Sequence, residues 1–126
     1  MMDSKNLLIK RPDPKAEFMT PEGCRILEVW NDESDRAVSI ARATVAQGVT
    51  TKLHRVRGVD ERYVITQGNG CMKLGQMEPE EVEPGDVVMI PAGTAMQITN
   101  IGDKDLIFYC ICSPRFTPDC YESLED

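Results

Sequence analysis

Two residues with complementary chemistry stand close together in this sequence. His54, the single histidine of the chain, opens the stretch HRVRGVDERYVITQG (54–68), and Glu61 follows seven residues later. A histidine beside a carboxylate is the arrangement found in general bases, and the same two side chains can ligate a metal ion. The stretch therefore holds a candidate catalytic pair or part of a metal site. A satisfied structural histidine in a hairpin is the simpler alternative.

The residues between this pair predict a β-hairpin. The sequence RGVD (57–60) has the glycine that a tight turn favours, and β-competent residues flank it. Because strand side chains alternate between faces, His54 should share a face with the next residue but one. On this basis we predict that His54 and Glu61 meet across the hairpin and point inward. Their expected neighbours on the inner face are Val56, Tyr63 and Ile65.

Five cysteines offer a second kind of chemistry. They are Cys24, Cys71, Cys110, Cys112 and Cys120. The odd count, the lack of a C-x2-C pair and the lack of a secretion signal favour free thiols in a reducing compartment. Cys110 and Cys112 should face the same way on one strand. Together with His54 and Met96 they could form a soft site for copper or zinc, although small buried cysteines also simply pack.

Length and charge limit the classes of function. The chain has 126 residues, which predicts one domain over 1–126, and a net charge of −7. An acidic chain without clustered cations argues against nucleic-acid binding. No run approaches the length of a membrane span. We therefore expect a cytoplasmic protein with no nucleic-acid or membrane partner.

Short β-rich runs separated by turn residues dominate the chain. Many short strands at regular spacing predict an all-β sandwich or barrel. The final segment, 113–126, carries two prolines and little periodicity, so we predict a strap or short helix outside the barrel. The predicted strands span 24–30, 37–46, 62–67, 70–75, 86–91, 95–100 and 105–112.

The spacing within 48–68 resembles the first motif of the cupin family, G-x5-H-x-H-x3–4-E-x6-G. Every interval matches, and Val56 stands at the position of the second histidine. The segment 85–100 resembles the second cupin motif, G-x5-P-x-G-x2-H-x3-N, with Met96 at the position of the histidine. The resemblance implies a single-domain double-stranded β-helix, or jelly-roll, barrel. The matching residues are Gly48, His54, Glu61 and Gly68 in the first motif and Gly85, Pro91, Gly93 and Asn100 in the second.

In metal-binding cupins, the two histidines and the glutamate of the first motif and the histidine of the second are ligands. Val56 and Met96 occupy two of these four positions here. With one histidine in the chain, neither a two-histidine-one-carboxylate iron site nor a three-histidine zinc site is possible. The resemblance thus implies a degenerate metal site. A divalent metal on His54 and Glu61 is disfavoured but remains an alternative.

These features favour a binding module whose pocket holds a small organic molecule. Val56, Ile65 and Met96 are predicted to line the pocket. One enzymatic alternative is a metal-free acid–base isomerase, in which His54 and Glu61 act with a phenol from Tyr63 or Tyr109. The other is a metal-dependent oxygenase or isomerase with an unusual ligand set. A purely structural protein is a third class.

Basic and apolar residues outside the motifs suggest two further contacts. Four arginines on or near the hairpin are expected to be solvated, although two of them could bind a carboxylate or phosphate at the barrel rim. The segment NLLIK (6–10) is β-competent. Since small cupins commonly pair through their sheets, we expect a homodimer. The arginines are Arg42, Arg55, Arg57 and Arg62.

Overall fold

The computed structural model describes residues 8–125 and contains eleven strands. Part of the predicted dimer segment, residues 6 and 7, lies outside this range. Single turns of 3-10 helix span Pro14–Ala16 and Pro118–Cys120. The strands are β1 (Phe18–Met19), β2 (Arg25–Trp30), β3 (Ser39–Val45), β4 (His54–Val56), β5 (Asp60–Gln67), β6 (Gly70–Leu74), β7 (Glu80–Val82), β8 (Val87–Ile90), β9 (Met96–Asn100), β10 (Leu106–Ser113) and β11 (Tyr121–Ser123).

The strands form two antiparallel sheets. The first has six strands in the order β1-β2-β3-β10-β5-β8, and the second has five in the order β11-β4-β9-β6-β7. This arrangement confirms the predicted all-β jelly-roll barrel, and each of the seven predicted runs overlaps a strand. The short strands β1, β7 and β11 were not predicted. Among residues 8–125, no helix is long and apolar enough to cross a membrane.

The predicted hairpin between His54 and Glu61 is wrong. Strand β4 pairs with β9 and β11 in the five-stranded sheet, whereas β5 pairs with β8 and β10 in the six-stranded sheet. The connection therefore crosses from one sheet to the other instead of reversing within one. Val59 in this connection is buried in the core, which accounts for the inward path of the chain. Side chains of β4 and β5 consequently enter the same barrel interior from different sheets.

The inward-facing side chains change in size and polarity along the neighbouring strands β3 and β10. At one end, the paired inner residues are Val45 of β3 and Leu106 of β10, both completely buried. At the other end, Ser39 of β3 faces Cys112 of β10 across the ladder. Large aliphatic side chains thus fill one end of the barrel, while small and polar ones leave space at the other. This gradient produces the cavity described below.

Asn100, the last residue of the second motif, stabilises the tightly packed end of the barrel through hydrogen bonds. Its side-chain amide donates to the carbonyls of Val45, at 2.9 Å, and Lys104, at 2.8 Å. Its Oδ1 accepts a hydrogen bond from the Gly102 amide at 2.9 Å. These three hydrogen bonds satisfy the Asn100 side chain and the backbone groups around it. An unpaired polar group in such buried surroundings would cost free energy.

The C-terminal segment joins the barrel instead of lying outside it as predicted. Strand β11 pairs with β4 and places Tyr121 opposite Val56. On the outer surface, Glu122 of β11 accepts hydrogen bonds from Arg55 at 3.0 and 3.1 Å and from Arg57 at 3.2 Å. These two arginines are therefore paired on the exterior and do not line the interior.

Gly68 is expected to be the most sensitive of the motif glycines. Its φ is +85°, and an added Cβ would lie 2.8 Å from the Asp105 carbonyl oxygen. Gly48 also has a positive φ, +76°, but has nothing within 4 Å of the added atom. Gly48→Ala should cost about 1–2 kcal/mol of unfolding free energy, from the left-handed backbone alone. Gly68→Ala should cost at least about 3 kcal/mol, because the clash adds to that strain. Urea denaturation measures both losses, and equal losses would contradict the steric argument.

Candidate functional site

The open end of the barrel contains a cavity of about 590 Å³. Both sheets contribute to its walls, and so do the loop before β2 and the segment before β11. Most of the lining is apolar, from residues such as Phe18, Ile26, Ala43, Val56 and Phe108. The titratable side chains that reach it are Glu22, Cys24, Glu28, His54, Glu61, Tyr63, Cys110, Cys112, Arg115 and Tyr121.

His54 makes its closest charged contact with Glu22. The distance from His54 Nε2 to Glu22 Oε2 is 3.4 Å, and both side chains are largely buried. The other ring nitrogen, Nδ1, lies 2.7 Å from the Lys52 carbonyl oxygen. A carbonyl can only accept a hydrogen bond, so Nδ1 carries a proton. The tautomer is thereby fixed, with Nε2 turned toward Glu22.

Glu22 and His54 Nε2 can share one proton. Burial raises the pKa of Glu22 above its usual value of 4.5, and the nearby His54 opposes that rise, as does a hydrogen bond from the Cys24 side chain. With one shared proton, the pair has no net charge, whether the proton lies on the Glu22 carboxyl group or on Nε2. Both states keep the charges of this interior balanced.

Two tyrosines border the cavity in different ways. Tyr121 stacks on the ring of His54, with ring centroids 5.1 Å apart, and its buried hydroxyl has no hydrogen-bond partner among the described residues. Tyr63 instead donates its hydroxyl to Met96 Sδ at 3.4 Å and stacks on Phe108. Burial raises the pKa of Tyr63 well above its usual range. The phenol that contacts the histidine is therefore that of Tyr121.

Glu61 lies with two thiols on the six-stranded sheet. Cys110 donates a hydrogen bond to Glu61 Oε2 at 2.9 Å, and Cys112 Sγ lies 3.7 Å from the same oxygen. Burial is the main cause that raises the pKa of Glu61, and the Cys110 hydrogen bond and the charge of His54 oppose it. Cys24, elsewhere in the cavity, has its pKa raised to about 12, chiefly by burial. All five cysteines of the chain are free thiols in the structure.

The other predicted site residues are distributed between cavity and core. Val56 and Tyr63 line the cavity, as do His54 and Glu61. Ile65 and Met96 are not among the lining residues and pack in the filled core, each about 1% exposed. Tyr109 alternates with the inward residues of β10 and is also absent from the lining.

The residues present do not fit the histidine-rich metal site that the resemblance implies for metal-binding cupins. Val56 and Met96 stand at two ligand positions, and Met96 Sδ already accepts the Tyr63 hydroxyl. Nδ1 of His54 is bonded to a carbonyl, and Nε2 faces Glu22. This set of side chains offers one imidazole where the standard site needs three.

Comparisons with known proteins decide the family. A family model described as a cupin domain matches residues 41–112. The chain is a cupin. It is 34% identical over 115 residues to MJ1618 of Methanocaldococcus jannaschii, an uncharacterized protein, and the match covers 90% of this chain and 91% of that protein.

Two solved structures illustrate how widely this cupin fold is shared. Pac13 of Streptomyces, described as a nucleoside dehydratase, superposes with a TM-score of 0.76 and 13% identity, covering 94% of this chain and 92% of that one. KdgF from Halomonas sp. gives a TM-score of 0.69 and 18% identity, covering 79% of this chain and 88% of that one. At such identities the likeness establishes the fold and nothing more.

Sequence reasoning missed several polar residues of the cavity, and three of them matter most for its chemistry. Glu22 lies in the loop between β1 and β2, Tyr121 in the C-terminal strand, and Arg115 in the segment before it. None of the three lies within the two cupin motifs, 48–68 and 85–100. Local sequence periodicity does not indicate which loop covers the open end of a barrel. The apolar run PEGCRILEVW (21–30), which brings a glutamate next to a buried strand, was the available signal for Glu22.

The raised pKa of Glu61 predicts a pH-dependent stability. Above pH 4.5, the usual value, the unfolded chain loses this proton while the folded protein retains it, so the unfolding free energy falls as pH rises toward the folded-state pKa. Glu61→Gln removes this loss. The unfolding free energy of this variant, relative to that of the original protein, should therefore increase as pH rises. Urea titrations with a chelator from about pH 4 to 7 measure this difference.

Glu122→Gln is the matched control with the opposite sign. A hydrogen bond from Arg55 lowers the pKa of the exposed Glu122, so its contribution is present above the usual value and disappears at lower pH. The relative stability of this variant should worsen as pH rises through 4.5, the usual value. Parallel slopes for the two variants would refute the assigned directions.

Proposed function

We propose that this cupin binds a small organic molecule in its cavity, where Glu22 and His54 orient it. The observation that carries the proposal is the Glu22–His54 pair at the wall of a ligand-sized cavity, with Nε2 and Oε2 3.4 Å apart. Five free thiols favour a reducing compartment, so we propose the cytoplasm as its location.

The size and lining of the cavity support binding of a compact molecule. Ligand pockets in proteins have volumes of roughly 300–1,000 Å³ and combine apolar walls with a few placed polar groups. A volume of about 590 Å³ falls within this range. The apolar walls provide burial. His54, Glu22 and the Tyr121 hydroxyl, which has no partner in the described part of the chain, provide points at which a polar ligand can be oriented.

The charges of the lining favour a neutral ligand rather than an anion at the buried wall. Glu22, Glu28 and Glu61 all line the cavity, and burial raises the pKa of each. Arg115 is the guanidinium in the lining and donates through Nε to Asn31 at 2.8 Å. A molecule rich in hydroxyl groups, with any acidic group turned toward Arg115, fits this distribution best.

Acid–base chemistry is the second candidate function, and the fixed tautomer favours it. With Nδ1 held by the Lys52 carbonyl, Nε2 can remove a proton from a bound molecule only in its neutral form, when Glu22 holds the shared proton. The Glu22 carboxyl or the Tyr121 hydroxyl could then protonate the substrate elsewhere. Such a sequence performs an isomerisation or a loss of water, the latter being the reaction class named for Pac13.

Binding can be tested with uridine, galacturonate and myo-inositol as probes in thermal-shift and NMR titrations. At least one probe should raise the melting temperature and perturb resonances around His54 and Tyr121. At 100 times Kd, a ligand stabilises the folded protein by about 2.7 kcal/mol. In Ala43→Leu, the larger side chain extends into the cavity and should abolish the thermal shift. The matched variant Ala46→Leu, at an exposed position, should retain the thermal shift. A response equal in both variants would place binding elsewhere, and none from any probe would oppose this ligand class.

Proton exchange is tested separately. The bound probe is incubated in deuterated water, and mass spectrometry measures uptake of deuterium at carbon. His54→Gln and Glu22→Gln should reduce the uptake by about 10²–10⁴-fold, the usual contribution of a positioned base, while changing the binding constant far less. Uptake that is unchanged in His54→Gln would remove the acid–base function and leave the binding function standing.

A further inference from the structure

Three potential metal ligands converge in the cavity, and the standard cupin site uses only one of them. Glu61 lies on β5, and Cys110 and Cys112 lie on the neighbouring strand β10. The register sets Cys112 opposite Glu61, while Cys110, two residues earlier, points to the same inner face. We propose that Glu61, Cys110 and Cys112 bind one thiophilic divalent cation of the Zn²⁺ class. Two of these three ligands lie outside the positions at which the family resemblance implies a metal.

Two of the three distances between the ligand atoms match a tetrahedral site before any ion is bound. Sγ of Cys110 and Sγ of Cys112 are 3.7 Å apart. With metal–sulfur bonds of about 2.3 Å, two tetrahedral sulfur ligands lie roughly 3.8 Å from each other. A sulfur and a carboxylate oxygen on the same ion lie roughly 3.5 Å apart. The 3.7 Å between Cys112 Sγ and Glu61 Oε2 is close to that value.

One distance must lengthen when the ion enters. Cys110 Sγ is 2.9 Å from Glu61 Oε2, because the thiol donates a hydrogen bond to the carboxyl oxygen. The ion replaces that proton between the same two atoms, which then separate by roughly half an ångström. A rotation of the thiol side chain is sufficient for this movement, since Sγ lies one bond beyond Cβ.

An unpartnered carboxylate oxygen independently indicates that this cluster is incomplete. Glu61 is only 6% exposed, and its Oε1 has no hydrogen-bond partner among the described residues. A buried polar atom without a partner costs free energy, and such atoms are rare in folded proteins. A cation at the cluster would satisfy Glu61 through direct coordination. Packing alone explains two buried cysteines but leaves this oxygen without a partner.

The chemistry of the donor set selects the ion. Thiolates favour zinc and other thiophilic metals over magnesium or calcium, which prefer all-oxygen sites. When a divalent ion binds, both thiols and the Glu61 carboxyl group release their protons to solvent, and Glu61 binds as the carboxylate. Three protein ligands leave a fourth tetrahedral position, and all three face the cavity. An ion with an open position toward a cavity has the composition of a catalytic site, not of a closed structural one.

The test uses Co²⁺ as the probe, added without oxygen to reduced, chelator-treated protein. Tetrahedral cobalt with thiolate ligands gives intense visible bands and a sulfur-to-metal charge-transfer band. We expect these bands to saturate at one ion per chain, with release of protons to the buffer. Cadmium NMR of the unmutated protein should show a shift typical of two thiolate ligands, a readout that needs no variant. An absence of the charge-transfer band in folded protein would overturn the proposal.

Variants assign the ligands. Cys110→Ser and Cys112→Ser should each weaken Co²⁺ binding by at least about 100-fold, more than the loss usually seen for residues that only support a ligand. Glu61→Gln should weaken binding but keep the charge-transfer band. Cys24→Ser is the matched control, because Cys24 is buried and lines the same cavity without belonging to the cluster. If Cys24→Ser causes the same loss, or Cys110→Ser and Cys112→Ser cause none, the site is not the one proposed.

Discussion

The cost of placing carboxyl groups inside an apolar barrel governs the interior of this cupin. An unpaired charge in such surroundings is strongly unfavourable, so a buried carboxyl group must either hold a proton or acquire a partner. Glu22 meets the requirement through His54, at 3.4 Å. Glu61 meets it in part through the Cys110 thiol, at 2.9 Å, but its second oxygen has no partner within residues 8–125. Burial raises the pKa of both groups, which keeps protons available inside the cavity.

The space in which these groups act results from a size gradient along the strands. On β3, the inward positions are Ser39, Ala41 and Ala43 before the chain reaches Val45 in the packed core. On β5, Glu61 and Tyr63 precede Ile65 in the same way. Since antiparallel pairing aligns the small ends of neighbouring strands, the cavity forms at one end only. The tightly packed end, fastened by Asn100, supports the open end.

The fold was predictable because its signals are local, whereas the site depends on contacts between distant segments. Glycine and proline spacing identified the barrel, since positions such as Gly68 require a positive φ and tolerate no side chain. The alternation rule correctly predicted that His54 and Glu61 point inward. It could not reveal that β4 and β5 belong to different sheets, because a short turn and a crossover have similar sequences. Glu22 and Tyr121 were missed because the segments that cover the open end of the barrel have no periodic sequence pattern.

The two polar clusters of the cavity originate from different parts of the barrel. His54 and Tyr121 belong to the five-stranded sheet, whereas Glu61, Cys110 and Cys112 belong to the six-stranded one. They influence each other through charge: His54 lowers the pKa of Glu61, and Glu22 raises it. A proton that moves between Glu22 and His54 redistributes charge without changing the total. A ligand between the sheets would therefore contact two clusters, one in which a proton can move and one that offers thiols and a carboxyl group. The protonation state of each cluster would alter the electrostatic field at the other.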